Sequence, residues 1–190
     1  MERERKDAMD EKDILTGCLD GGPESYRRLL DAYGPLVTAV AINILGNRED
    51  AEDVCQETFL RVFKNLDRYD PGRSFKTWLL TIVYRRSLDM IRKKRRFVEF
   101  ASRAKFDPSL VRADCVSNPG DPPPLPSRFL DKLTPKERTA LCLWANEGYS
   151  AGDISEVLGC SASTARVTLF NARRKIKMML EKNHGVLQVG

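Results

Sequence analysis

Apolar residues recur at three- and four-residue intervals through most of this chain. No stretch alternates with period two for long enough to make a strand. That periodicity confines the fold to helices. Tyr26, Leu29, Leu30, Tyr33, Val37, Val40, Ala41 and Ile44 fall on one helical face. Ala51, Val54, Cys55, Thr58, Phe59, Val62 and Phe63 fall on a second, and Phe75, Trp78, Leu79, Ile82 and Val83 on a third. Pro23 opens the first helix and Gly46 is placed to stop it. Gly34-Pro35 predicts a kink or break, because Pro35 has no N–H to donate. Asp70-Pro71-Gly72 marks a turn before the third helix, which begins near Ser74 and continues to about Lys94.

The periodicity fades from Ser102 to Ser127, and five of the ten residues from Asn118 to Ser127 are proline. Such sequence favours extended, semi-rigid chain without a core of its own. Helical signals then return. Thr134 suits an N-cap, Pro135 a first helical position, and Glu137 completes a capping box. Leu141, Trp144 and Ala145 supply that helix's apolar side. Ser150 caps a short helix carrying Ile154, Val157 and Leu158, Gly159 suits a positive φ, and Ser161 caps a longer helix to about Leu180. The expected fold is all-α: two small helical domains joined by an extended Pro-rich linker. Its parts are a flexible charged tail (1–12), a first domain (13–100), the linker (101–127), a second domain (128–183) and a tail (184–190).

Charge divides the helices by partner. Asp50 to Asp70 is acidic on its polar face, which suits a basic protein surface. Pro71 to Arg96 carries nine Lys/Arg against the single acid Asp89. There Phe75, Trp78 and Tyr84 interleave with Lys76, Arg85, Arg86, Arg92, Lys93 and Lys94. Aromatic faces stack on unpaired bases while cations follow phosphates, so this surface suits opened DNA. Trp78 also fits the apolar stripe with Leu79 and Ile82. The final short helix, glycine turn and basic helix form a helix-turn-helix. Its second helix presents Ser163, Thr164, Arg166, Val167, Phe170 and Asn171 over its first turns. Arg suits guanine and Asn suits adenine in a major groove. Phe170 fits either a thymine methyl or the core.

Other classes are disfavoured. A single histidine, His184, argues against a histidine-based metal site or catalytic triad. There is no G-x-G-x-x-G or P-loop lysine motif, and the carboxylates lie on amphipathic faces. No catalytic residue, metal ligand or cofactor is expected. No apolar run approaches the ~18 residues of a membrane span. The N-terminus lacks an apolar signal core, and the five cysteines are scattered with no C-x-x-C, as in a reducing cytosol. Cytoplasmic placement is the expectation.

Asp50-Ala51-Glu52-Asp53-Val54-Cys55-Gln56-Glu57-Thr58-Phe59 resembles region 2.2 of the extracytoplasmic-function, or group-four, RNA polymerase sigma factors. Ser74-Phe75-Lys76-Thr77-Trp78-Leu79 and the basic helix after it resemble regions 2.3 and 2.4. Leu133-Thr134-Pro135-Lys136-Glu137-Arg138, and Gly148-Tyr149-Ser150 through Arg173, resemble region 4. The resemblance covers nearly all of residues 20 to 182. It implies a subunit that binds core RNA polymerase and directs initiation at promoter DNA, both duplex and melted. It leaves room for an anti-sigma factor as a further partner. It places polymerase docking on Asp50, Asp53, Gln56, Glu57, Leu60 and Arg61. Minus-ten contacts fall on Arg73, Ser74, Phe75, Lys76, Trp78, Tyr84, Arg85, Arg92 and Lys93, with a pocket for a flipped base in the loop Asp67 to Ser74. Minus-thirty-five contacts fall on Ser161, Ser163, Thr164, Arg166, Val167, Phe170, Asn171 and Arg174. The linker would thread toward the active-centre cleft.

The chain departs from the family pattern at several of these positions. Arg85 stands where many members carry Asn, Asp153-Ile154-Ser155 replaces Glu-Ile-Ala, and Ala165 replaces a common Val. Thr168 and Asn171 replace Arg. These changes bear on base preference rather than on fold. The alternative reading is a stand-alone helix-turn-helix regulator, which would leave the acidic helix and the basic aromatic helix without a purpose.

Overall fold

The computed structural model describes the backbone of residues 2–103 and 132–186, and the side chains of residues 11–100 and 132–181. Seven α-helices run through them: α1 (Glu2–Leu19), α2 (Pro23–Leu45), α3 (Arg48–Asn65), α4 (Phe75–Arg103), α5 (Pro135–Glu147), α6 (Ala151–Leu158) and α7 (Ala162–Val186). A short 3-10 turn, Leu66–Arg68, follows α3. There is no strand among the described residues.

Local signals set most helix ends. Gly46 takes φ 81°, which an L side chain resists, and its N–H donates to the Ile42 carbonyl at 2.8 Å. Asn47 then caps α3, accepting from the Asp50 N–H at 2.8 Å. Thr134–Glu137 and Ser150–Asp153 both form complete capping boxes. Gly159, at φ 62°, turns α6 into α7, and Ser161 Oγ accepts from the Thr164 N–H at 3.2 Å.

Three expectations about the ends and the proline need correction. Residues 2–12 of the expected tail belong to α1, which starts at Glu2. Its last turns bury Ile14, Leu15 and Cys18, so packing there carries the helix back through the charged segment. Pro35 does not break α2, which is continuous. The bond it forfeits is to the Asp31 carbonyl, and both residues are solvent-exposed, so water can serve that group. α4 runs to Arg103 and α7 to Val186, past the expected domain ends at 100 and 183. Residues 104–127 of the linker, 128–131 of the second domain and 187–190 of the tail lie outside the described residues.

α2, α3 and α4 pack together, with α1 laid against α2. Leu29, Val37, Val40, Ile44, Val54, Val62, Phe75, Leu79, Leu80 and Val83 are essentially inaccessible between them. By length and composition α2 is apolar enough to cross a membrane. Here its apolar residues, Val37 to Ile44, form the core of the bundle.

α5, α6 and α7 make the second unit, and it does not stand apart. α5 lies on α2 and α6 on α4. Ala140, Cys142, Leu143, Ile154, Val157 and Leu158 join the same buried cluster as the first bundle. One side of α5 instead faces α7, where Leu133, Leu141 and Ala172 form a smaller cluster. The halves separated in sequence by the Pro-rich stretch thus share one continuous core.

Candidate nucleic-acid interface

α3 divides cleanly by face. Ala51, Val54, Thr58, Phe59 and Val62 turn inward, while Asp53, Gln56, Glu57, Leu60 and Arg61 turn outward. Leu60 is 68% exposed, an apolar anchor in a polar patch. Glu49, one turn before Asp53, extends the acidic face, a neighbour the i, i+4 spacing already implies. Asp50 does not belong to that face. It is buried, bonded to the Asn47 side chain and paired with Lys94 near the end of α4. Its carboxylate fastens α3 to α4 and is not free to dock a partner.

The basic helix α4 separates into a wet side and a dry side. Arg73, Ser74, Arg85, Arg92 and Lys93 are exposed. Lys76 and Trp78 are half-buried. Phe75 and Tyr84 are buried, at 0% and 3% exposure, and cannot stack on a base in this arrangement. Phase explains it: Phe75 lies four residues before Leu79, on the stripe that faces α2. The Phe75 ring centre sits 5.2 Å from Tyr33, 5.4 Å from Tyr69 and 5.7 Å from Trp78. This aromatic cluster supports the loop Asp67 to Ser74 from beneath. Tyr69 donates its hydroxyl to the Arg73 carbonyl at 2.5 Å, and Asp70 Oδ1 accepts from the Gly72 N–H at 2.9 Å. The loop is therefore tied at both ends. Arg73 also lies 3.6 Å from the Asp70 carboxylate.

On α7, Ser163, Thr164, Arg166, Val167, Phe170 and Arg174 point to solvent, while Ala165 and Ala172 pack inward. Phe170 is 64% exposed, which settles its place on the outer face. Asn171 is half-buried. Ser161 spends its hydroxyl on the cap and on the hydroxyls of Ser163 and Thr164, both at 2.9 Å. Arg166, Phe170, Arg173, Arg174 and Lys177 border one open groove, a cationic wall on an apolar floor. Arg173, outside the expected set, lies 4.5 Å from the centre of the Trp144 ring. Its contact crosses from α7 to α5, which helix periodicity alone does not reveal.

The helix is held in place from behind. Lys175 reaches Glu137 Oε2 at 2.8 Å, and the same oxygen accepts from the Thr134 N–H at 2.8 Å. Burial by itself would raise the Glu137 carboxyl. The bonds from Lys175 and Thr134 outweigh it and hold the group below its usual range. Burial disfavours the thiolate at three of the described cysteines. Burial pushes the Cys142 thiol up to about 12, and raises Cys18 and Cys55 as well. Among the described residues no group of histidine, cysteine and acid side chains is arranged to hold a metal.

Comparison with known proteins places these surfaces in context. The chain matches the family models for Sigma-70 region 2 over residues 29–97 and Sigma-70, region 4 over residues 127–176. It is 34% identical to the ECF RNA polymerase sigma factor EcfG of Rhodopseudomonas palustris, over 83% of this chain and 86% of that one. It is 30% identical to the RNA polymerase sigma factor CarQ of Myxococcus xanthus, over 85% of this chain and 92% of that one. Its fold is that of the sigma factor RpoE from Bartonella quintana, solved with the anti-sigma factor NepR. The two superpose with a TM-score of 0.67 at 24% identity, covering 83% of this chain and 98% of the other.

Proposed function

The chain belongs to the extracytoplasmic-function RNA polymerase sigma factors, and on that premise we propose that it binds core RNA polymerase and directs initiation at promoters with two separated elements. The observation that carries this reading is the segregation of its surfaces. An acidic, Leu60-anchored face on α3 looks outward, while two cationic surfaces of different design sit on α4 and α7. Asp53, Gln56, Glu57, Leu60 and Arg61 dock the polymerase, the apolar side chain supplying buried area and the acids its orientation.

The α7 surface reads the minus-thirty-five duplex. Arg166 has the reach and fork for a guanine, and Val167 and Phe170 suit thymine methyls. Arg173, Arg174 and Lys177, further along, meet phosphates. The α4 surface takes the minus-ten strand once melted. Arg73, Arg85, Arg92 and Lys93 follow its phosphates, and the Asp67–Ser74 loop receives a base turned out of the stack. Phe75 serves this site from below, as the floor on which Tyr69 and Trp78 rest. The polymerase does the chemistry, and the chain acts in the cytoplasm as a specificity subunit without catalytic groups of its own. We extend to it a partner of the class found with its Bartonella relative, an anti-sigma factor.

The test is reconstitution. Core polymerase with this protein gives discrete run-off transcripts from a genomic library, and a pull-down recovers the complex. A chain that binds promoter-like duplex tightly alone, as a dimer, and never assembles with core polymerase refutes the proposal.

A further inference from the structure

α1 has no part in the surfaces described above, yet it reaches the loop proposed to receive a turned-out base. The helix is firmly seated. Ile14, Leu15 and Cys18 are buried on its inner side. Gly17 lets it lie close against the start of α2, since a Cβ there would sit 3.0 Å from the Ser25 Cβ. Further up the same helix, Glu11 accepts a hydrogen bond from the Tyr33 hydroxyl of α2. Tyr33 is the near end of the aromatic cluster. Its ring centre lies 5.2 Å from that of Phe75, edge to face at 69°. Phe75 meets Tyr69 at 5.4 Å, again nearly perpendicular. Tyr69 in turn donates to the Arg73 carbonyl at 2.5 Å. Contact therefore runs unbroken from the Glu11 carboxylate to the backbone of the loop.

A second route is shorter. α1 packs directly on the 3-10 turn Leu66–Arg68, which leads into Tyr69. Burial, and after it the Glu11 charge, hold the Tyr69 hydroxyl above its ordinary range, so the carboxylate lies close to that side of the loop. Burial, and then the bond to Glu11, raise Tyr33 in the same way. Both phenols stay protonated at neutral pH and go on donating. Edge-to-face contacts depend on how each ring is tilted. Tyr33 is only half-buried, so its neighbours leave the ring room to turn. The hydrogen bond to Glu11 removes that freedom. The buried residues of α1 seat the helix without this bond, so its distinct effect falls on Tyr33.

We propose that Glu11 is a positioning residue for base selection in the minus-ten strand: by holding the Tyr33 hydroxyl it sets the tilt of Phe75 and Tyr69, and through them the shape of the Asp67–Ser74 loop. The proposal rests on the sigma-factor reading above and on the role given there to that loop. Glu11 itself does not touch DNA. A loop already held in its binding shape discriminates better than one that each base must first order, because less of the contact energy is lost to ordering. Losing one hydrogen bond of this kind frees the loop by a factor of about two to ten.

The test uses holoenzymes reconstituted from core polymerase and the full chain carrying Glu11→Ala, Glu11→Gln or Tyr33→Phe. Each is titrated with forked promoter fragments that differ by one base in the melted minus-ten strand. Glu11→Ala should narrow the spread of affinities at the selected base by about three- to tenfold, while binding of an upstream minus-thirty-five duplex stays unchanged. Tyr33→Phe removes the donor but keeps the ring, so it should act alike, and the double variant should be no worse than either single one. Glu11→Gln retains an acceptor and should recover most of the discrimination, which separates the bond from the charge. A merely structural role predicts affinity falling for every fragment and for the upstream duplex together, in step with the folded fraction from urea unfolding. That pattern overturns the proposal, as does a folded Glu11→Ala protein with wild-type base preference. Should Glu11→Ala fail to fold, Tyr33→Phe decides by the same two criteria. In either case a wild-type chain that supports run-off transcription leaves the sigma reading standing. A wild-type chain that supports none with core polymerase removes both.

Discussion

Phe75 offers the sharpest test of how the proposed minus-ten surface is built, because the family resemblance and the fold assign it different work. A ring that lines the DNA path contributes little to stability, whereas a ring at 0% exposure between Tyr33, Tyr69 and Trp78 contributes a great deal. Removing a buried phenyl group costs about 3–5 kcal/mol, combining lost transfer energy with an unfilled cavity. The near-perpendicular contacts with Tyr33 and Tyr69, each worth roughly 0.5–1.5 kcal/mol, are part of that sum. With a urea slope near 2 kcal/mol per molar, Phe75→Ala should lower the midpoint by about 2 M. Phe75→Leu keeps an apolar filler but loses the ring contacts, and should cost roughly 1–2 kcal/mol.

The assay is urea unfolding of the full chain followed by helical circular dichroism, paired with promoter binding and open-complex formation by the reconstituted holoenzyme. Loss of the floor loosens Tyr69, and with it the Asp67–Ser74 loop. Phe75→Leu should therefore impair open-complex formation by a modest factor while staying folded. Phe75→Ala should lose upstream binding and melting together, as its folded fraction falls. The reasoning is refuted if Phe75→Ala unfolds within about 1 kcal/mol of wild type, keeps upstream binding and selectively loses melting. Phe75 would then have to leave the core and stack on DNA.

Other surfaces yield simpler expectations. Reversing Asp53 and Glu57 to Lys should weaken core polymerase capture several-fold while costing about 1 kcal/mol of stability, chiefly because Glu57 lies 3.9 Å from the Arg86 guanidinium; a pull-down with a melt as control checks it. Arg166→Ala should cost about 1–3 kcal/mol at one promoter position and relax preference there. Arg174→Ala should lower affinity evenly across single-base variants and reduce the salt slope by about one unit. Glu137 sets a pH dependence. Its folded carboxyl lies below the ordinary value of 4.5, so its contribution is complete above that value and is lost as pH falls through the folded pKa. The gap in urea midpoint between wild type and Glu137→Gln should hold from pH 7 to about 4.5 and close below it.

What the sequence made legible is what is decided within a few residues. Thr134 with Glu137, Ser150 with Asp153, and the glycines at 46 and 159 carry their geometry locally, and each helix end falls where they place it. Helical phase gives the outer face of α3 from Asp53 to Arg61, but on α7 it leaves Phe170 open, and only its exposure places it outside. Misplacements arise where two local signals compete or where the partner is far along the chain. Phe75 belongs both to a basic aromatic segment and to an apolar stripe, and the stripe wins because burial of a ring outweighs its exposure on a charged face. Asp50 reads as the start of an acidic face, but its cation is Lys94, 44 residues away. The charged N-terminus reads as a tail, yet Ile14, Leu15 and Cys18 at its far end give the helix a surface to rest on.

The seam between the two halves left one trace in the sequence, and it is electrostatic. The carbonyl end of a helix carries partial negative charge, so an acid there is locally unfavourable by about 0.3–1 kcal/mol. Glu147 is the last residue of α5, followed by Gly148, and that helix has no basic residue in its final turn to offset it. Read alone, the position is an unexplained cost. The cation that answers it, Lys76, stands on another helix 71 residues earlier. A single ammonium thus ties the end of α5 to the first turn of α4, across the shared core of the two halves.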